Sequence, residues 1–260
     1  MTANYRAISP YSALVKLLLV LLTAGTAISA KAQRSAADLA RDNTSKADAV
    51  AAFAGVQANW KILDLFAGDG YYSEALARHV GANGVVYLHS TTATKPAPGR
   101  LRQRLGRISR TTGRAQHWPN IIVLERELSD LAIASDSLDM VMLVKIYHDA
   151  YYRNNGWQLD PDDLFNFILR VLKPGGTLTV IDHSALAGTG AAAAQTLHRI
   201  ERDFAVKDIS QRGFHWSGAS DLLRNSQDTR ERSVFDPSIR GKSDRFLLTF
   251  RKPHPQKKGP

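Results

Sequence analysis

Two hydrophobic rhythms alternate along the chain from Trp60 to Arg251. Short runs rich in Ile, Leu and Val, at Lys61–Phe66, Val85–Leu88, Asn120–Leu124, Leu138–Val144 and Thr177–Ile181, read as strands. The fourth is apolar apart from Asp139 near its start, as expected of a strand covered on both faces. Between the strands, apolar residues recur at helical spacing. Tyr72, Ala75, Leu76 and Val80 share one face, and Leu164, Phe165, Ile168, Leu169 and Leu172 share another. Asp160 can cap this second helix, with Pro161 in its first turn and Asp162 and Asp163 at the positive end of its dipole. Lys173-Pro174-Gly175-Gly176 then ends it in a sharp turn. Leu101, Leu105 and Ile108 predict a further helix across Arg100–Arg114.

The flanks fit the same plan. Ser35–Gln57, alanine-rich and mixed polar, reads as a helix packed across the domain. Gly188–Ala194 is a small-residue loop, followed by a helix to about Gln211 and strands near Phe214–Ser217 and Arg245–Arg251. Strands alternating with helices predict an α/β fold: a doubly wound, mainly parallel, seven-stranded sheet with helices on both faces. No internal repeat and no second domain is visible.

The first 32 residues obey a different rule. Arg6 and Lys16 precede the apolar run Leu17 to Leu22, which fades to Ile28 before Ala30-Lys31-Ala32. A basic start, a short apolar centre and a small-x-small end describe a signal peptide. An uncleaved anchor is the alternative, but Leu17 to Ile28 spans 12 residues, short of the roughly 20 that cross a bilayer. The expected organisation is therefore 1–32 as leader and 33–260 as a single domain, with an N-terminal helical extension and a basic C-terminal tail. The expected location is outside the cytoplasm, in the periplasm, with no stable membrane anchor after cleavage.

Composition narrows the chemistry. The chain has no cysteine, which excludes disulfides, thiolate metal sites and a cysteine nucleophile. Its formal charge is +10, to which Arg6, Lys16 and Lys31 contribute without any acid in the leader. Six arginines fall between Arg100 and Arg114, and Arg251, Lys252, Lys257 and Lys258 close the chain. No aromatic residue interleaves with the arginines to stack bases, so a solvated basic helix face is expected, not a nucleic-acid surface.

The turn after the first strand, "ILDLFAGDGYYSEALA", is where an open sheet of this kind binds ligands. A phosphate-cradling Gly-Lys-Ser/Thr is absent. A dinucleotide fingerprint would need a third glycine after Gly68-x-Gly70 and an acid near position 90, and neither is present. "LDLFAGDG" instead resembles motif I of class I S-adenosylmethionine-dependent methyltransferases. Asp64 stands at its acid and Gly68 and Gly70 at its last two glycines, while Phe66 replaces the first. "LERELSDL", "SLDMVMLVKIYHD" and "VLKPGGTLTVIDHS" resemble the later motifs in the family's order. With "FAGDGYYSE", "YHDAYY", "SDLLRN" and "VFDPSIRGKSDRF", the chain is similar to a family of exported bacterial methyltransferases from about Ala51 to Pro253.

The resemblance implies a class I, Rossmann-like methyltransferase fold, S-adenosylmethionine as cofactor and a small-molecule acceptor. The implied cofactor-binding residues are Asp64, Phe66, Ala67, Gly68, Asp69, Gly70, Tyr71, His89, Glu127 and Lys145, with Glu127 near the adenine. One departure bears on binding. Relatives end the second strand with an acid that holds the ribose hydroxyls, whereas this chain has His89 and Ser90. Losing a charge-assisted contact costs about 1.5–3 kcal/mol.

Methyl transfer is an in-line displacement, so most of the work is positioning. Tyr71, Tyr147 and Tyr151 are placed to hold the sulfonium by their ring faces. His148, oriented by Asp149 and beside Tyr147, is the expected general base and completes the expected catalytic group. Asp182, His183 and His198 are expected to approach the same cleft. These residues have the chemistry of metal ligands, but their sequence spacing enforces no site, and no metal is assigned. Ser233–Phe246, a long polar connection, is expected to be solvated or to act as a lid, with Arg240 or Lys242 meeting an acidic substrate. Three readings follow: an S-adenosylmethionine-dependent methyltransferase, an exported module of the same fold that binds a nucleoside-like ligand without transferring methyl, or a metal-dependent enzyme on the same scaffold.

Overall fold

The apolar runs become seven strands of one sheet: β1 (Lys61–Leu65), β2 (Val85–Ser90), β3 (Ile121–Glu125), β4 (Leu138–Val144), β5 (Leu172–His183), β6 (His215–Ser220) and β7 (Arg245–Arg251). The computed structural model describes residues 34–94, 96, 98–154 and 156–255. The leader expected over 1–32 and the last lysines of the basic tail lie outside the described residues. Among the described residues no helix is long and apolar enough to cross a membrane.

The strand order is β3-β2-β1-β4-β5-β7-β6. β1 to β5 pair in parallel, and β7 runs antiparallel between β5 and β6. The described residues from Ala36 onward form one compact unit. Its helices are α1 (Ala36–Ser45), α2 (Ala47–Phe53), α3 (Tyr71–Val80), α4 (Pro98–Leu105), α5 (Pro161–Val171), α6 (Ala194–Leu197) and α7 (Arg202–Gln211).

Successive residues of a strand point to opposite faces, and here both faces are apolar. Ile62, Met140 and Met142 pack with Val50 of α2 and Leu76 of α3. Leu63, Leu65, Val141 and Leu143 pack on the other side with Leu164, Phe165 and Ile168 of α5 and Ile209 of α7. Asp64 breaks the apolar run from inside this sandwich, and it is buried. A carboxylate in such a place needs a reason other than solvation.

The chain builds outward from β1 to β3 and then returns to place β4 on the other side of β1. The β1/β4 junction is therefore the switch point, where crevices open beyond the carboxyl ends of the strands.

Several boundaries differ from the sequence pattern for local reasons. The extension is not one helix: Lys46, in the left-handed region at φ 45°, separates α1 from α2. Strand β1 stops before Phe66, whose φ of 57° turns the chain out of the sheet. The helix expected over Arg100–Arg114 ends at Leu105, because Gly106 adopts φ 71°. The later arginines lie on a loop that Ile108 and Ala115 close by an isolated bridge. Lys173–Gly176 does not precede the fifth strand but bulges within it: Leu138 pairs with Leu172 and Met140 with Thr177. Asp160 does cap α5, accepting from the backbone N–H of Asp162 at 2.7 Å.

Candidate active site

A cleft of about 1150 Å³ opens at the β1/β4 switch point. Asp64, Phe66, Ala67, Gly68, Asp69 and Tyr71 contribute from the first turn, Lys145, His148 and Asp149 from the segment after β4, and His183 from the end of β5. Most of the residues expected to bind cofactor or act on substrate are thus brought together.

Asp64 forms the floor. Its Oδ2 accepts from Ser73 Oγ at 2.6 Å, and its buried Oδ1 has no donor among the described residues. Burial pushes its pKa up to about 7, with the Ser73 hydroxyl pulling against the shift. Asp69 raises it further, and the Arg41 guanidinium lowers it. An unpartnered carboxylate oxygen at the base of a cleft favours a cationic or N–H-bearing ligand.

The two motif glycines do different things. Both are in the left-handed region, Gly68 at φ 58° and Gly70 at φ 74°. A Cβ on Gly68 would meet nothing within 4 Å, so the backbone there is bare toward the cleft it lines. A Cβ on Gly70 would lie 2.6 Å from Leu88 Cδ1, and Gly70 does not line the cleft. Its smallness lets the turn pack on β2. Gly70→Ala is accordingly expected to cost about 1–3 kcal/mol of stability. Gly68→Ala should cost about 1–2 kcal/mol from backbone strain and act mainly on ligand affinity. Thermal melts beside ligand titrations of both variants check the division.

His89, expected at the ribose, is a strut instead. Its Nδ1 accepts from the Phe66 N–H at 3.3 Å, its Nε2 donates to the Arg126 carbonyl at 2.9 Å, and burial lowers its pKa so that the ring is neutral. Both nitrogens are spent on holding the Phe66 bend, and neither reaches a ribose. The Phe66 ring packs edge-on against His89 and Trp157, at 4.9 and 5.6 Å between centroids. Glu127 is exposed and does not line the cleft; Ala93, Thr94, Pro96 and Arg100 form that wall.

The tyrosines also depart from expectation. Tyr147 is fully buried in the core, donating to Asp208 Oδ2 at 2.8 Å, and Tyr151 donates to the same oxygen at 2.6 Å. Neither lines the cleft. Tyr71 does, but Arg41 of α1 stacks over its ring at 4.0 Å and also pairs with Asp69 at 3.2 Å. That face is taken. The aromatic walls come from Phe66, Trp157, Tyr152 and Phe235, of which the last three escaped the sequence reading. They sit in irregular segments, where no periodicity marks which side chains face inward.

His148 lies in a short 3₁₀ turn after β4 and is buried. Its Nδ1 donates to Asp182 Oδ1 at 2.7 Å and its backbone N–H to Asp182 Oδ2 at 2.8 Å. Its Nε2 lies 3.1 Å from Asp149 Oδ1 and 3.3 Å from His198 Nδ1. Burial opposes its charge, but Asp182 and Asp149 outweigh burial and raise its pKa to about 10. Two carboxylates thus favour a cation at Nε2, whether a proton or another positive ion, which makes His148 a weaker proton acceptor than the expected general base. Lys145 moves the other way. Burial and the nearby Arg41 and Arg245 charges lower its ammonium to about 8. His183, neutral through burial and the neighbouring Lys145, shares a hydrogen bond of 2.7 Å with Ser243 Oγ.

The basic segment is not simply solvated. Arg104 side-chain exposure is 6%, and its guanidinium meets Asp38 at 2.6 Å, Glu74 at 2.7 Å and the Asp69 carbonyl at 2.8 Å. It ties α1, α3 and α4 around the motif turn. In the Ser233–Phe246 connection, Arg240 lines the cleft whereas Lys242 is exposed and does not.

Residues 63–180 match a protein family described as a methyltransferase domain. No curated protein matches the chain. Among solved structures, it is similar to an S-adenosylmethionine-dependent methyltransferase from Aquifex aeolicus, with a TM-score of 0.56 and 16% identity over 81% of this chain and 92% of that one. The [4+2]-cyclase SpnF gives 0.56 and 16% over 82% and 81%. A Galdieria sulphuraria protein, provisionally assigned as a sarcosine dimethylglycine methyltransferase, gives 0.53 and 17% over 81% and 85%. The class I methyltransferase fold is therefore that of this chain, and it carries more than one chemistry.

Proposed function

We propose that the protein is an S-adenosylmethionine-dependent methyltransferase acting on a small-molecule acceptor. One observation carries the reading: the switch-point cleft ends on Asp64, whose buried Oδ1 lacks a donor, next to the bare backbone of Gly68. The match of residues 63–180 to a methyltransferase domain supports the same assignment. The acceptor reading rests on the aromatic side chains that line the cleft, Tyr152, Trp157 and Phe235, which suit a small organic molecule.

When bound, S-adenosylmethionine supplies an electrophilic methyl group on a positive sulfur. Asp64 offers its carboxylate to the cationic methionine part, and Phe66, Ala67 and Gly68 line the bend beside it. Trp157, Tyr152 and Phe235 offer apolar ring surface to the acceptor. Lys145, whose ammonium burial and neighbouring charges lower to about 8, is the group we assign to take the proton that an acceptor loses. Incubation with S-adenosylmethionine labelled on its methyl, against fractionated small-molecule extracts, is expected to label one class of acceptor with matching release of S-adenosylhomocysteine. Binding without release in every fraction would favour the ligand-binding module instead.

The raised pKa of Asp64 gives the affinity a pH dependence. The carboxylate must be ionised to hold a cation, so affinity should fall about tenfold per unit below pH 7. Arg41 and Asp69 face Asp64 from α1 and the turn, and deprotonation of Lys145 toward pH 8 acts in the same direction as ionisation of Asp64. Calorimetric titrations from pH 5.5 to 8.5 check this; a flat profile would remove Asp64 as the anchor.

We further propose that the protein acts after export, on the strength of the pattern from Arg6 to Ala32. Expression of the full chain is expected to yield a periplasmic protein whose first residue is Gln33. Recovery in the cytoplasm with Met1 intact would overturn this.

A further inference from the structure

We propose that His148, Asp149 and His198 form a binding site for a divalent transition metal on the acceptor side of the cleft, with Asp182 orienting His148 from behind. The three residues come from separate places: a turn after β4 supplies two, and the C-terminal end of α6 supplies the third.

Their ligand atoms converge. His148 Nε2 lies 3.1 Å from Asp149 Oδ1 and 3.3 Å from His198 Nδ1, and the remaining side of the triangle is 3.7 Å. Metal bonds of about 2.0–2.1 Å at tetrahedral angles place neighbouring ligand atoms about 3.3–3.4 Å apart. The observed triangle brackets that value. A single proton on Nε2 can bridge to one of the two partners, whereas a cation satisfies all three atoms together.

Two further features point to a built site. Asp182 is fully buried and receives both the Nδ1–H and the backbone N–H of His148, at 2.7 and 2.8 Å. This fixes the ring with Nε2 toward Asp149 and His198, the carboxylate–histidine relay found behind metal ligands. His198 is itself held in the left-handed region at φ 52°, rare outside glycine. Its ring is flanked by Tyr152 and Phe235, with centroids 4.6 and 4.8 Å away. Two imidazoles and one carboxylate suit Zn²⁺, Fe²⁺ or Mn²⁺ rather than Ca²⁺ or Mg²⁺, which take oxygen ligands. All three residues line the cleft, so a metal here keeps coordination positions for an oxygen or nitrogen of the acceptor.

The site is independent of the methyl-transfer reading and is tested without any adenosyl ligand. The full chain, purified without an affinity histidine tag or chelator, is titrated with Zn²⁺, Co²⁺ and Mg²⁺ by calorimetry, with visible spectra of the Co²⁺ form. A single Zn²⁺ or Co²⁺ site with the intense visible bands of four-coordinate cobalt is expected. Asp149→Asn and His198→Asn, the latter keeping a residue tolerant of the left-handed region, should each weaken Zn²⁺ at least a hundredfold while thermal melts stay cooperative. Asp182→Asn should weaken it about ten- to hundredfold. Absence of Zn²⁺ and Co²⁺ binding, Mg²⁺ binding as tight as Zn²⁺, or Zn²⁺ affinity unchanged in both ligand variants would each overturn the proposal.

Discussion

Replacing Arg199 with methionine is expected to remove about 3–5 kcal/mol of stability and lower the Tm by about 10 °C or more. Arg199 is fully buried, and its guanidinium serves separate acceptors in one fork. Nε donates to the Arg232 carbonyl at 2.8 Å, Nη1 to the Ser184 carbonyl at 3.0 Å and Nη2 to Asp228 Oδ1 at 3.1 Å. Methionine fills part of the volume but leaves Asp228 charged in a place without water. Asp228 keeps the backbone N–H groups of Asp244 and Arg230, at 2.7 and 3.0 Å, so the loss should fall at the lower end of the range. Arg199→Lys should recover less than half of it, because an ammonium cannot span the fork. Adding Asp228→Asn to Arg199→Met should recover part of the loss by removing the stranded charge. Chemical denaturation of the three variants measures the effect. A loss below about 1 kcal/mol in Arg199→Met would mean that water enters the site.

The second large effect concerns Asp64→Asn, which is expected to weaken S-adenosylmethionine binding about ten- to hundredfold while making the ligand-free protein more stable. Asparagine keeps the shape and can still bond Ser73, but removes a charge that burial penalises. The folded pKa of Asp64, about 7, lies above its ordinary value of 3.8. The wild-type fold therefore gains stability as pH falls from about 7 toward 4, as the carboxyl takes up its proton, and bears the full cost of the charge above pH 7. The advantage of Asp64→Asn should be present at pH 8 and vanish near pH 4. Thermal melts at the two pH values, beside ligand titrations, separate loss of binding from loss of structure. A variant less stable than wild type at pH 8 would mean that the carboxylate is solvated in the folded state.

What the sequence made legible follows from where its signals are periodic. The strands, α5 with its Asp160 cap, and the turn at Asp64 are local patterns, and local patterns predict local structure. The switch-point cleft followed from strand alternation alone. The failures share a cause too. The place of His89 at the end of a strand points to a ribose, but its two ring nitrogens are occupied by Phe66 and Arg126, through contacts that no spacing encodes. The sequence positions of Tyr147 and Tyr151 suggest that they face the cleft, yet the turn after β4 rotates them onto Asp208 of α7, far along the chain. Arg104 looked like one cation in a solvated row until α1 and α3 brought acids to it. The convergence of His148 and Asp149 with His198 depends on a left-handed residue after α6, which no helical pattern announces.

The central claim, that the crevice beyond Asp64 holds an adenosyl cofactor, is tested most directly by calorimetric titration of the purified chain with S-adenosylhomocysteine at pH 8. The account predicts a single site with a dissociation constant in the micromolar range. No detectable binding at millimolar ligand by a cooperatively folded protein would contradict it.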